Sequence, residues 1–97
     1  MKIAVIGCGN MGGAIVKGLY QSGLCSASDL FCADVLPQNL EEMKAIDAGI
    51  YVSNINAEVV KSADYVILAV KPWLMNEVLD SIFSVLDEKR HTLISIA

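Results

Sequence analysis

Residues 3–12, Ile3-Ala4-Val5-Ile6-Gly7-Cys8-Gly9-Asn10-Met11-Gly12, decide the fold. The continuous apolar run from Ile3 to Ile6, mostly β-branched, is what a strand buried on both faces requires. It leads directly into G-x-G-x-x-G. Beyond it Met11, Ala14, Ile15, Gly18 and Leu19 follow the i, i+3, i+4, i+7, i+8 stripe of an amphipathic helix that runs from Asn10 to about Ser22. Three glycines in six positions are weak evidence alone. Their place between a strand and a helix, and an acidic residue at the end of the next apolar run, make them a dinucleotide fingerprint. That residue is Asp34, 22 positions beyond Gly12 and closing Leu30 to Ala33.

Each glycine has its own task in this reading. Gly7 permits the tight turn out of the strand. Gly9, without a Cβ, lets the main chain approach a pyrophosphate, and Gly12 lets the helix pack closely on the sheet. The helix start offers unpaired N–H groups and the positive end of its dipole, so Asn10 and Met11 stand where backbone donors meet phosphates. Cys8 counts among the expected cofactor-binding residues by its place in the loop, where its side chain is a small apolar filler at a variable position. A carboxylate at Asp34 can accept both ribose hydroxyls of NAD and repels the 2′-phosphate of NADP. Two unit charges ~4 Å apart cost about 4 kcal/mol at an effective dielectric of 20. No Arg follows in Val35-Leu36-Pro37-Gln38, so the expected cofactor is NAD(P)H with NADH favoured.

Outward from the loop, apolar runs alternate with amphipathic stretches, the mark of parallel strands joined by helical crossovers. Gly23 ends the first helix. A second strand covers Leu30 to Ala33. A helix follows from Pro37 with Leu40, Met43 and Ile46 on its buried side, and Gly49 terminates it. Ile50 to Val52 forms a short third strand. A brief helix over Ala57 to Lys61 is capped by Asn56. Tyr65 to Val70 is the fourth strand, and a long helix from Pro72 to about Leu86 buries Met75, Val78, Leu79, Ile82 and Leu86. Thr92 to Ala97 is a fifth strand. The fold expected is a Rossmann-like α/β domain over residues 1–97, a parallel sheet of about five strands with helices on both faces. An apolar strand at the end, with no polar tail, reads as a cut inside a longer protein.

Composition narrows the function. Hydrophobic residues make up 55% of the chain, and exchanging Tyr for Gly in the count raises this further, above the ~45–50% of an ordinary domain. The excess suits a sheet covered on both faces, or a surface that packs on something else. A net charge of −4, with seven scattered basic residues, speaks against nucleic acid as a partner. No apolar run approaches the ~20 residues of a membrane span. The apolar start is too short for a secretion signal and runs into the glycine motif, so the cytoplasm is the expected compartment. Three cysteines without C-x-x-C spacing and a single histidine suit neither a disulfide framework nor a metal site.

Gly7-Cys8-Gly9-Asn10-Met11-Gly12 resembles the opening of the pyrroline-5-carboxylate reductase family, where G-x-G-N-M-G is typical. Ala69-Val70-Lys71-Pro72 resembles that family's A-V-K-P block, and Ser95-Ile96-Ala97 resembles the start of its S-I-A-A-G block. Asn56 falls where the family often has a cofactor-contacting asparagine. The blocks recur in order along the whole chain. The resemblance implies NAD(P)H-dependent reduction of 1-pyrroline-5-carboxylate to L-proline. It puts Gly7, Gly9, Asn10, Met11 and Gly12 at the pyrophosphate and Asn56 near the adenosine ribose. Ala69, Val70, Lys71 and Pro72 would line the nicotinamide riboside, with Ala97 close to the ring. It further implies a helical C-terminal domain that supplies dimerisation and much of the imino-acid pocket. Without it, these residues would bind cofactor but not turn over. Asp34 departs from the family, whose members often carry Ser, Asn or Arg patterns suited to NADPH.

Lys71, at the carboxyl end of the fourth strand, is the one candidate for a catalytic, electrostatic role, attracting a substrate carboxylate or a cofactor phosphate. His91 precedes the fifth strand and belongs at the opposite end of the sheet, away from the crevice. Trp73 is assigned to packing. Two other readings compete: the cofactor domain of a related oxidoreductase, prephenate dehydrogenase-like or deazaflavin-dependent NADP reductase, and a stand-alone dinucleotide-sensing module.

Overall fold

β1 (Ile3–Ile6) is the centre of the molecule, with all four of its residues buried. The computed structural model describes residues 1–96, so the expectation for Ala97 lies outside the described residues. From β1 the chain passes through α1 (Asn10–Gln21), β2 (Leu30–Ala33), α2 (Pro37–Ile46), β3 (Tyr51–Ser53), α3 (Asn56–Val60), β4 (Tyr65–Leu68), α4 (Met75–Ile82) and β5 (Thr92–Ser95). The five strands are parallel in the order β3-β2-β1-β4-β5. The sheet therefore grows in one direction from β1 as far as β3, then crosses to β1's other side. The carboxyl ends of β1 and β4 border that reversal, where open α/β sheets form a ligand crevice.

Alternation along β1 builds a core on each face. Ile3 and Val5 join Val16, Leu30, Cys32, Met43 and Ile50 under α1 and α2. Ala4 and Ile6 join Val59, Val60, Val66, Leu68, Val78 and Ile82 under α3 and α4. Each large aliphatic side chain so enclosed contributes roughly 1.5–3 kcal/mol relative to exposure. β5 is different: all four of its residues are exposed.

Several boundaries differ from those expected, each for a local reason. β4 stops at Leu68, because the Ala69 N–H makes the last bond to β1, at the Ile6 carbonyl (2.8 Å), while Gly7 turns away to donate to Ala33 (2.8 Å). Beyond that bond, Ala69 and Val70 make no further ladder pair among the described residues. α2 ends at Ile46, not at Gly49, since Asp47 is extended and its carboxylate accepts the Tyr20 hydroxyl and the Gly49 N–H. β3 lies one residue later than expected, although Ile50 is fully buried. The stretch after Pro72 is not one helix. Pro72–Leu74 and Phe83–Val85 are 3-10 turns flanking α4, with Leu74 and Ile82 near ψ of −7° and −3°. The buried stripe survives the breaks: Val78 and Ile82 are buried, with Met75, Leu79 and Leu86 packed beside them. Gly23, at φ +79°, closes α1 as expected.

Candidate functional site

The glycine loop hangs between the carboxyl ends of β1, β2 and β4. Gly7 has φ +94°, and a Cβ there would stand 2.5 Å from the Ala69 carbonyl oxygen. The residue thus meets both a conformational and a steric demand for glycine. A Cβ on Gly12 would overlap the Gly7 carbonyl oxygen outright and lie 3.2 Å from the Ala69 Cβ, so α1 approaches the loop and β4 as closely as backbone allows. At Gly9 the situation reverses: nothing lies within 4 Å of the added Cβ. Two glycines are filled by the fold, and the one between them faces open space.

α1 begins at that opening. Gly9 is its N-cap, with no side-chain cap, and the Gly13 N–H makes the first helical bond to the Gly9 carbonyl (2.8 Å). The N–H groups of Asn10, Met11 and Gly12 find no acceptor among the described residues. Asn10 and Met11 are exposed. Free first-turn amides at the positive end of a helix dipole, beside a backbone with no Cβ in the way, can receive a phosphate group. The loop is a cradle of the right chemistry for a dinucleotide.

Cys8 faces the other way. Its side chain is buried, with Sγ 3.5 Å from the Ala33 carbonyl oxygen and 3.7 Å from that of Val5. Hydrogen bonding with the Cys32 thiol, burial and the nearby Asp34 charge hold its thiol far above the ordinary range. The Cys8 N–H is taken as well, donating to Asp34 Oδ2 at 2.7 Å.

Asp34 is therefore tied to the loop. Oδ2 also accepts the Asn39 side-chain amide (3.1 Å), and Oδ1 accepts the Leu36 N–H (2.8 Å). Asn39 was not anticipated. It is the third residue of α2, a position from which a polar side chain reaches back over the helix start, and that spacing is the signal that could have singled it out. Asn39 also lines a cleft of about 710 Å³ that opens at Gly9 and Asn10 and runs between α1 and α2 towards Tyr20 and Ile46. At its far end the Tyr20 hydroxyl donates to Asp47 Oδ2 (2.7 Å). That bond holds the Tyr20 phenol above its ordinary pKa and is the main cause of the low pKa of the Asp47 carboxyl.

Asn56 does not cap α3. Ile55 takes that place without a side-chain bond, and the Asn56 amide instead donates to Ser81 Oγ at 3.0 Å, joining α3 to α4. Ala69 and Val70 are half-buried against Gly7, and Lys71 and Pro72 are exposed just beyond β4. His91 lies where expected, at the amino end of β5. Its Nδ1 accepts the Asp87 N–H (3.0 Å), leaving Nε2 to donate to the Val60 carbonyl (2.9 Å). Trp73 is 76% exposed, so the packing expected of it is not made within the described residues.

A family model described as NADP oxidoreductase, coenzyme F420-dependent, matches residues 2–97. The pyrroline-5-carboxylate reductase of Methanosarcina acetivorans is 35% identical over 96 residues, covering 99% of this chain and 35% of that protein. A solved pyrroline-5-carboxylate reductase from Coxiella burnetii superposes with a TM-score of 0.85 at 28% identity, over 98% of this chain and 35% of the other. The Plasmodium falciparum pyrroline carboxylate reductase, solved with NADP bound, gives 0.79 at 25% identity over 99% of this chain and 33% of the other. The chain thus spans about a third of the length of the relatives it matches.

Proposed function

The chain belongs to the NADP oxidoreductase, coenzyme F420-dependent, family, and from that premise we propose that it is the dinucleotide-binding part of a pyrroline-5-carboxylate reductase, with NADH as the preferred cofactor. The observation that carries the reading is the contrast within the loop: Gly7 and Gly12 closed in by backbone, Gly9 open, and free amides beginning α1 directly behind it.

Residues fall into roles accordingly. The N–H groups of Asn10, Met11 and Gly12 bind the pyrophosphate, and Gly9 admits it. Asp34 receives the adenosine ribose, with Asn56 nearby. Ala69, Val70 and Pro72 line the nicotinamide side, together with Ala97. When bound, the nicotinamide supplies the hydride that reduces the C=N carbon of the imino acid. Lys71 contributes charge, drawing the substrate carboxylate or a cofactor phosphate to the carboxyl end of β4. In the whole protein a helical domain completes the imino-acid pocket and joins protomers, so these 97 residues alone bind cofactor without turnover. Nucleic acid is not a partner in this reading, and the working compartment is the cytoplasm.

Titration calorimetry with NADH and NADPH tests the proposal. The wild type binds NADH more tightly, and Asp34→Ser narrows the gap by removing the charge that opposes a 2′-phosphate. Equal or tighter binding of NADPH by the wild type would remove Asp34 from the ribose site. Absence of binding to either nucleotide would remove the cofactor reading altogether.

A further inference from the structure

The hydrogen bonds around Asp34 do not leave its carboxylate free to take a ribose in the simplest way. An ionised carboxylate offers about four acceptor positions, two on each oxygen. Oδ2 already has two donors, the Cys8 N–H at 2.7 Å and the Asn39 amide at 3.1 Å. Oδ1 has one, the Leu36 N–H at 2.8 Å. A vicinal diol gripping both oxygens needs one open position on each, and only Oδ1 has one.

The two donors on Oδ2 differ in kind. The Cys8 N–H is main chain, fixed by the loop whose neighbouring Gly7 N–H is bonded to Ala33. Asn39 donates through a rotatable side chain on the first turn of α2. That side chain is half-buried and lines the cleft that opens at Gly9 and Asn10. It is the donor that can yield. Its amide also keeps a second N–H that a hydroxyl or phosphate oxygen could accept.

We infer that Asn39 is a specificity-determining residue: its amide occupies one of the two ribose-accepting positions of Asp34 and thereby weakens the discrimination between NADH and NADPH. The inference rests on the proposed dinucleotide site and deepens it. With Asn39 in place, a bound adenosine ribose makes one bond to Asp34 Oδ1 and meets the Asn39 amide rather than a second carboxylate oxygen. That same amide partly offsets the carboxylate's repulsion of a 2′-phosphate. Without it, Oδ2 opens to the second hydroxyl of NADH while NADPH loses the side-chain donor that the Asn39 amide offers beside Asp34.

The test measures the dissociation constants of both nucleotides by calorimetry for the wild type, Asn39→Ala and Asn39→Asp, with circular dichroism to establish that each variant is folded. The expected result is a rise in the NADPH-to-NADH Kd ratio of about tenfold or more in Asn39→Ala, the scale of one charge-assisted hydrogen bond. Asn39→Asp should raise it further, by adding like charge. In the wild type, the side-chain amide resonances of Asn39 should shift on NADH addition, a readout that needs no variant. A purely structural role would weaken both nucleotides alike and leave the ratio unchanged, which would overturn the inference while the dinucleotide site stands. Unshifted Asn39 resonances at saturating NADH would overturn it equally. A wild type that binds neither nucleotide would take the inference down with its premise.

Discussion

Replacing Gly12 or Gly9 by alanine adds the same single methyl group five or two residues beyond Gly7, yet the structure assigns the two changes opposite consequences. In Gly12→Ala the new Cβ overlaps the Gly7 carbonyl oxygen, with the Gly7 carbonyl carbon at 2.8 Å and the Ala69 Cβ at 3.2 Å. The atoms struck first are main chain, held by the Gly7–Ala33 bond, so no rotamer change relieves the overlap. Overpacking costs about 1–3 kcal/mol, and a clash with fixed backbone belongs at the top of that range. At about 4–8 °C per kcal/mol for a domain of this size, the melting temperature should fall by more than ~10 °C. In Gly9→Ala the Cβ meets nothing within 4 Å, so stability should stay within about 0.5 kcal/mol of wild type. The methyl group then stands where a pyrophosphate would approach, and the same overpacking scale converts to roughly 5- to 150-fold weaker NADH binding. Differential scanning calorimetry and titration calorimetry on the two variants separate the outcomes. A Gly9→Ala variant that binds NADH like the wild type, or a Gly12→Ala variant that melts with it, would refute the division of labour within the loop.

Tyr20→Phe should reveal the Tyr20–Asp47 bond through pH. The Asp47 carboxyl has a lowered folded pKa, so its contribution is present above the unfolded value near ~3.9 and fades as pH falls through the folded one. The Tyr20 phenol has a raised folded pKa, so its contribution is present below ~10 and fades as pH rises through the folded value. Urea unfolding across pH should show wild type and variant furthest apart between these limits and converging beyond both; a gap that does not vary with pH would contradict the bond. The buried thiols of Cys8 and Cys25, both pushed up in pKa, should react with a disulfide reagent such as DTNB at neutral pH only as fast as the chain unfolds. Rapid labelling of Cys8 in the native protein would mean that the loop opens far more often than its bonding implies.

Much of this was legible because local pattern and tertiary demand coincide. Ile3 to Ile6 is apolar throughout because both faces of β1 are covered, and Gly7 to Gly12 carries its fold and chemistry in its spacing. Pattern misled where hydrogen bonding, not hydrophobicity, ends an element. Ala69 and Val70 continue the apolar run of β4, but after the Ala69–Ile6 bond the ladder to β1 ends where Gly7 turns into the loop, and Gly49 follows a helix that Asp47 has already ended. The stripe from Met75 to Leu86 keeps helical spacing through turns that interrupt the helix, since a 3-10 turn scarcely alters which face is buried. Side-chain polar partners were the least accessible. Asn56 and Asn39 are both amides at the start of a helix, yet one reaches across to Ser81 and the other back to Asp34. Only the packed arrangement distinguishes them.

β1 contributes to both cores, and the loop proposed to hold the diphosphate grows directly from its end. The cradle is consequently attached to a strand packed on both of its faces. A ligand arriving there finds the amides already aimed and spends little of its interaction energy on ordering them. Association should then be set by diffusion and orientation rather than by a slow rearrangement of the polypeptide.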